Sequence, residues 1–148
     1  MRRSGVAAAL TGFLVLAHVA AGAAEPVVSK IAVIVGQKSL VTHVSVDDLR
    51  ELYLRRTRLW PNGTRAVPIN LPADNPLREH FSRVVLGRST QDLVPYWNAR
   101  YFEGITPPTV LPSSAAIRGY LAAEPAAIAY VPLEEVKATV RTLLVLER

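Results

Sequence analysis

Five consecutive apolar residues at positions 31–35 (IAVIV) constrain the fold more than any other segment of this chain. Four of the five are β-branched, and an unbroken apolar run of this kind is typical of a strand that is covered on both faces. Such a strand needs packed layers above and below its sheet. The run is therefore expected to lie in the middle of a layered domain.

Helical and extended patterns alternate after this strand. Ser45 is the expected N-cap of a helix with an apolar face of Val46, Leu49, Leu52 and Tyr53. The next segments predict a strand at 66–70, which Pro68 makes irregular or edge-like, and a helix from Pro76 to Gly87 capped by Asn75. Two further helices are predicted: one after Ser89, with Leu93, Tyr96, Trp97 and Tyr101 on its inner side, and one after Ser113 that ends at Pro125. The remaining segments predict a strand at 127–131, a helical turn at 133–137 and a last strand at 140–146. Alternation of this kind predicts an α/β fold: a single three-layer lobe with a mixed, mostly parallel sheet flanked by helices.

The N-terminus has the pattern of an export signal. Arg2 and Arg3 precede an apolar run at 6–21, and small residues follow, so a signal peptide at 1–23 is expected, with cleavage before Ala24 or before Glu25. A retained anchor is the alternative, although the run is short for a membrane span. The remaining residues, 24–148, would form a single domain. With no cysteine there is no lipid-attachment site, so we expect a periplasmic protein that is soluble after cleavage and not a lipoprotein.

No pattern in the chain points to catalysis. Cysteine is absent, which excludes a thiolate nucleophile and a thiolate metal site. His43 and His80 lack the spacing of metal ligands, and neither a nucleophile elbow nor a phosphate-binding P-loop occurs. We therefore expect no enzyme activity, no metal and no cofactor. The sequence pI is about 10.0, but an exported protein meets little nucleic acid, so we expect no nucleic-acid partner.

The order of several segments resembles a known family. Residues 31–35 precede the helix and turn that end in 54–60 (LRRTRLW), a second strand and helix follow, and a late strand occupies 125–131 (PAAIAYV). This order is similar to that of the type-2 periplasmic binding proteins, in particular the phosphate-binding subunit of ABC transporters. The resemblance implies a small anion such as phosphate as ligand, and an ABC transporter permease or a membrane sensor as partner.

The chain departs from that family at two points. The family's ligand-gripping loop carries an Arg followed by Asp-Gly-Ser-Gly-Thr, whereas residues 70–77 here read NLPADNPL. Helix N-terminal N–H groups still attract anions, but Pro76 removes one donor and Asp74 adds a negative charge. The family also has two lobes, for which about 125 residues are too few. An isolated monomer is therefore expected to bind phosphate weakly or not at all, unless a homodimer or a partner protein supplies the second wall.

The candidate ligand-binding residues lie where strands lead into helices, because ligands of open α/β sheets bind outside the carboxyl ends of strands. For Asn75 and Asp74 the favoured explanation is a helix cap and a turn residue, and Ser113 is at least equally explained as a helix cap. A concentration of arginines around the first helix and its turn could attract an anionic ligand or an acidic partner, but a solvated face partly neutralised by Asp47, Asp48 and Glu51 is the favoured interpretation. The candidates are Asn70, Asp74, Asn75, Leu77, Ser113 and Ser114, and the arginines are Arg50, Arg55, Arg56, Arg58 and Arg65.

Two functional hypotheses remain open from the sequence. The first is an exported, non-catalytic solute-binding protein that recognises a small anion through strand-end loops and helix N-termini. The second is an interaction module that has lost its ligand and docks on a membrane sensor or another envelope protein. Loss of the gripping loop's Ser, Gly and Thr residues favours the second hypothesis.

Overall fold

The computed structural model describes residues 29–147. The predicted signal peptide at 1–23 lies outside this part of the chain and stays a prediction. In chain order the described elements are β1 (Ile31–Gly36), α1 (Val46–Tyr53), β2 (Val67–Asn70), α2 (Pro76–Phe81), a π-helical segment (Ser82–Leu86), α3 (Val94–Phe102), β3 (Thr109–Val110), α4 (Ser114–Ala123), β4 (Ala127–Pro132), a 3₁₀ turn (Leu133–Glu135) and β5 (Val140–Leu146).

The strands form one mixed sheet in the order β3-β2-β4-β1-β5. β2 pairs in parallel with both β3 and β4, whereas β1 is antiparallel to both β4 and β5. Four of these five strands therefore run in the same direction and β1 is reversed. This agrees with the predicted α/β fold and its mixed sheet. Every residue at 31–35, the strand expected to be covered on both faces, is fully buried.

Helices cover both faces of the sheet. In the strand order, β3 lies on one side of β2 and β4 lies on the other, so the connections β2–β3 and β3–β4 run across the sheet in opposite directions. Connections between parallel strands are right-handed, and two that run in opposite directions therefore place their helices on opposite faces. α4 packs against β1 and β4. It approaches so closely that the backbone of Leu121 occupies the space that a side chain on Gly36 would need.

An aromatic cluster joins α1 and α2 to the sheet. The rings of Phe81 and Tyr130 stack with centroids 3.9 Å apart, and the ring of Tyr53 lies 4.7 Å from that of Phe81. The buried hydroxyl of Tyr53 donates to the carbonyl oxygen of Ile69 at 3.0 Å. These contacts hold β2, β4 and the two helices in one core, and thereby fix where the carboxyl ends of the strands lie.

Two sequence expectations need correction. Tyr101 was expected on the inner side of its helix, but its side chain is 68% exposed, because α3 buries none of its own residues against the core. Pro68 was expected to make an irregular or edge strand, but β2 lies inside the sheet between β3 and β4. The proline is tolerated there because β3 pairs only with Ile69 and Asn70.

Between residues 29 and 147, no helix combines the length and the apolar character that a bilayer-spanning segment requires.

Candidate anion-binding cleft

A cleft of about 320 Å³ opens at the carboxyl ends of β2, β3 and β4, between the N-termini of α2 and α4. This is the edge of an open α/β sheet at which ligands bind. Four of the six candidate residues line it: Asn75, Leu77, Ser113 and Ser114. The other lining residues are Leu71, Pro112, Ala115, Arg118, Pro132 and Glu135.

The N-terminus of α4 offers hydrogen-bond donors to this cleft. Ser113 is the N-cap, and its Oγ accepts a hydrogen bond from the backbone N–H of Ala116 at 3.2 Å. The backbone N–H groups of Ser114 and Ala115, in the first turn, have no carbonyl partner within the helix. Both residues line the cleft. The positive end of a ten-residue helix therefore lies against this space.

The N-terminus of α2 offers fewer donors. Pro76 occupies the first helical position and has no N–H group. Asn75 is the N-cap, and its Oδ1 accepts a hydrogen bond from the N–H of Leu77 at 2.9 Å. The first two positions of α2 therefore leave no free main-chain donor. In this cleft the stronger attraction for an anion comes from α4, and not from the loop at 70–77 that the family resemblance emphasised.

Arg118 is a functional candidate that the sequence reasoning missed. Arg118 lines the cleft, and 19% of its side chain is exposed. Nη1 donates to the carbonyl oxygen of Glu135 at 3.1 Å and lies 3.9 Å from that residue's carboxylate. The available signal was its spacing, because a residue four positions after Ser114 lies on the same side of a helix. The cleft thus contains the arginine that the loop at 70–77 lacks, together with one opposing carboxylate.

Asn70 and Asp74 are not among the residues that line the cleft. The buried Oδ1 of Asn70 accepts a hydrogen bond from the hydroxyl of Tyr130 at 3.0 Å, so this side chain ties β2 to β4. Burial raises the pKa of Tyr130 above its usual range, and the nearby charge of Arg78 opposes that change. Asp74 is exposed on the loop before α2.

The loop after β2 is held by another arginine. Nη1 of Arg78 donates to the carbonyl oxygen of Leu71 at 2.6 Å, which fixes one wall of the cleft. Among the described residues, no group of three or more His, Cys, Asp or Glu side chains is arranged to hold a metal ion. The residues that line the cleft carry hydroxyl, amide and guanidinium donors, which are groups suited to an oxyanion.

No family model matches this chain, and no curated protein matches it. Several solved structures match it in fold. An ABC-type phosphate transport receptor from Vibrio cholerae superposes with a TM-score of 0.61 at 15% identity, covering 78% of this chain and 46% of that one. A putative phosphate ABC transporter substrate-binding protein from Clostridium perfringens, with bound phosphate, gives 0.62 at 16% identity, covering 78% and 45%. PstS from Borrelia burgdorferi gives 0.58 at 11% identity, covering 78% and 47%.

This chain thus spans about half the length of the structures that it matches. At these identities the likeness concerns the fold alone. Its extent fits one lobe of a two-lobed binding protein, as the order of segments in the sequence implied. The described residues therefore have the fold of one lobe of the phosphate ABC transporter substrate-binding proteins.

Proposed function

We propose that this chain is a non-catalytic, exported protein that binds a small oxyanion such as phosphate in the cleft between α2 and α4. One observation carries the proposal: Arg118 and the first turn of α4 line the same cleft, at the sheet edge where ligands bind. The likeness in fold to phosphate-binding proteins supports the choice of anion.

The arrangement of donors suggests how the anion would be held. The N–H groups of Ser114 and Ala115 and the hydroxyl of Ser113 donate from one side, and Arg118 donates charge-assisted hydrogen bonds from the next turn. The carboxylate of Glu135 opposes binding, because it shares the cleft and lies close to Arg118. An anion would compete with this carboxylate for the guanidinium. That competition and the open side of the cleft both predict weak binding by the monomer.

We infer the wider role from the likeness in fold and from the predicted signal peptide. In this proposal the protein acts in the periplasm and delivers its ligand to an ABC transporter permease or to a membrane sensor. A second surface, from that partner or from a second copy of the chain, covers the open cleft. This cover replaces the second lobe that the longer solved structures have.

Thermal unfolding in the presence of inorganic phosphate tests the proposal. A ligand that binds only the folded state, present at ten times its dissociation constant, stabilises that state by about 1.4 kcal/mol. We expect a rise in Tm at millimolar phosphate. Arg118→Gln should reduce this rise, and Glu135→Gln should increase it.

Arg88→Gln is the matched control, because Arg88 is exposed and lines neither this cleft nor the one described below. If phosphate raises the Tm of Arg118→Gln as much as that of wild type, the anion does not bind at α4. If phosphate has no effect on wild type at millimolar concentration, the result supports the interaction module instead. A micromolar or tighter dissociation constant for a proven monomer would contradict the need for a covering surface.

A further inference from the structure

A second cleft lies at the opposite end of the parallel strands, beside the amino ends of β2 and β3. It has a volume of about 220 Å³ and is more enclosed than the cleft between α2 and α4. Its polar lining consists of three arginines and two threonines, and none of the described residues that line it is an aspartate or a glutamate. These five residues are Arg55, Arg58, Arg65, Thr106 and Thr109.

The three arginines differ from most others in the described part of the chain. Five arginines there lie within 4.0 Å of a carboxylate: Arg50, Arg56, Arg83, Arg100 and Arg118. Within residues 29–147, Arg55, Arg58 and Arg65 form no such ion pair. Nε of Arg55 is buried and has no hydrogen-bond partner among the described residues. Burial, together with the charges of Arg58 and Arg65, lowers the pKa of Arg55.

Backbone contacts fix the positions of these three residues in the chain fold. Arg55 follows α1 with a φ of 57°, in the left-handed region that glycine occupies most easily, so the backbone conformation does not explain an arginine here. Leu59 pairs with Arg65 in a short hairpin, and the carbonyl oxygen of Arg58 accepts from the N–H of Ala66 at 2.9 Å. Trp60 anchors this hairpin, because its side chain is buried in the core.

We propose that Arg55, Arg58 and Arg65 form a second site, for a small, multiply charged oxyanion of the phosphate and sulfate class. Three like charges that share one cleft without a carboxylate repel one another, and a bound dianion would relieve that repulsion. Guanidinium groups bind tetrahedral oxyanions through paired hydrogen bonds, and the two threonine hydroxyls add further donors. The small volume of this cleft, about 220 Å³, suits a small ion better than a protein surface. This site is separate from Arg118 and does not depend on it.

Amide-resolved NMR with inorganic phosphate as the probe tests the second site in the full domain. The amides of 65–67, Thr106 and Thr109 should shift in one titration, distinct from any shifts at 113–118. In Arg58→Gln/Arg65→Gln the first set should respond at least about tenfold more weakly, which is the loss expected when charged hydrogen-bond donors are removed. Both substituted residues are exposed, so the variant is expected to fold.

Two further variants separate this inference from the proposed function. Arg118→Gln should leave the shifts at 65–67, Thr106 and Thr109 intact, and Arg88→Gln should leave both sets intact. Phosphate shifts confined to 113–118, or shifts at 65–67 that survive in Arg58→Gln/Arg65→Gln, would overturn the second site. Loss of the 65–67 response in Arg88→Gln would also overturn it, because the effect would then be one of net charge. The second site can therefore fail while the first stands, and the reverse is equally possible.

Discussion

Gly36→Ala is expected to lower the free energy of unfolding of the domain more than a substitution at the surface, because it acts on the contact between β1 and α4. An ideal Cβ at Gly36 would lie 2.1 Å from the carbonyl oxygen of Leu121 and 2.9 Å from its carbonyl carbon. Both are backbone atoms, so no side-chain rotation relieves the clash. The helix and the strand must instead separate by roughly 1 Å in a close-packed interior.

The expected cost follows from the rigidity of that contact. Overpacking a core typically costs about 1–3 kcal/mol, and a clash with helix backbone belongs at the upper end, near 3 kcal/mol. For a domain of this size, a loss of that size corresponds to a fall in Tm of roughly 10–15 °C. Urea unfolding followed by tryptophan fluorescence measures the change, since the side chain of Trp60 is buried.

Gly119→Ala is the matched control because it makes the same substitution within α4. A Cβ at Gly119 meets no atom within 4 Å, and the residue is exposed. Replacing a helix-interior glycine by alanine should therefore stabilise the domain by about 0.5–1 kcal/mol. The two variants should shift the midpoint in opposite directions. An unchanged midpoint for Gly36→Ala would refute the close packing of α4 on β1.

Three further predictions concern buried or capped polar groups. Tyr130→Phe should cost about 1–3 kcal/mol, because it leaves the buried oxygen of Asn70 without its donor; an unchanged urea midpoint would contradict this. Ser45→Ala should cost about 1 kcal/mol at neutral pH. Hydrogen bonds from Ser45 lower the pKa of Asp48 in the folded state. The stabilisation is therefore present above the unfolded-state pKa of Asp48 and is lost as the pH falls through its lower folded-state pKa. If Ser45→Ala costs the same free energy of unfolding in acid as at neutral pH, the stabilisation does not come from the ionised Asp48. Burial raises the pKa of Tyr53 and Tyr130, so stability is complete below about pH 10 and falls above it. Near-ultraviolet absorbance should therefore show these two tyrosines ionising only as the domain unfolds, and their ionisation in the folded state would refute the assignment.

The elements that the sequence predicted well are those with local causes. Ser45, Asn75 and Ser113 cap their helices as expected, because a cap needs only its own side chain and an N–H two or three residues later. The apolar run at 31–35 identified a strand that is buried on both faces for a similar reason, since such burial leaves no polar position in the pattern. Each of these signals is contained within about one turn or one strand.

Features that depend on distant parts of the chain were not predictable in the same way. Tyr101 has core-like spacing, but whether that side of α3 meets the core depends on how the helix is placed, and it is exposed. Arg118 is an ordinary helix residue until β4 and the turn after it bring Glu135 to its side. Asn70 was a good candidate as a strand-end amide, yet its oxygen is used by a tyrosine sixty positions away.

A single lobe also changes what a site with these donors can achieve. Hydrogen bonds and ion pairs to an anion gain strength when water is excluded, because the local dielectric falls. In the cleft between α2 and α4 the donors of α4 and Arg118 lie against an open side, so water keeps the dielectric high on the far side of any bound ion. A covering surface would therefore strengthen binding even if it contributed no donor of its own. The ratio of the phosphate affinities measured with and without that surface would give the effect of excluding water. The loss of affinity in Arg118→Gln would give the contribution of Arg118, so the two effects can be measured separately.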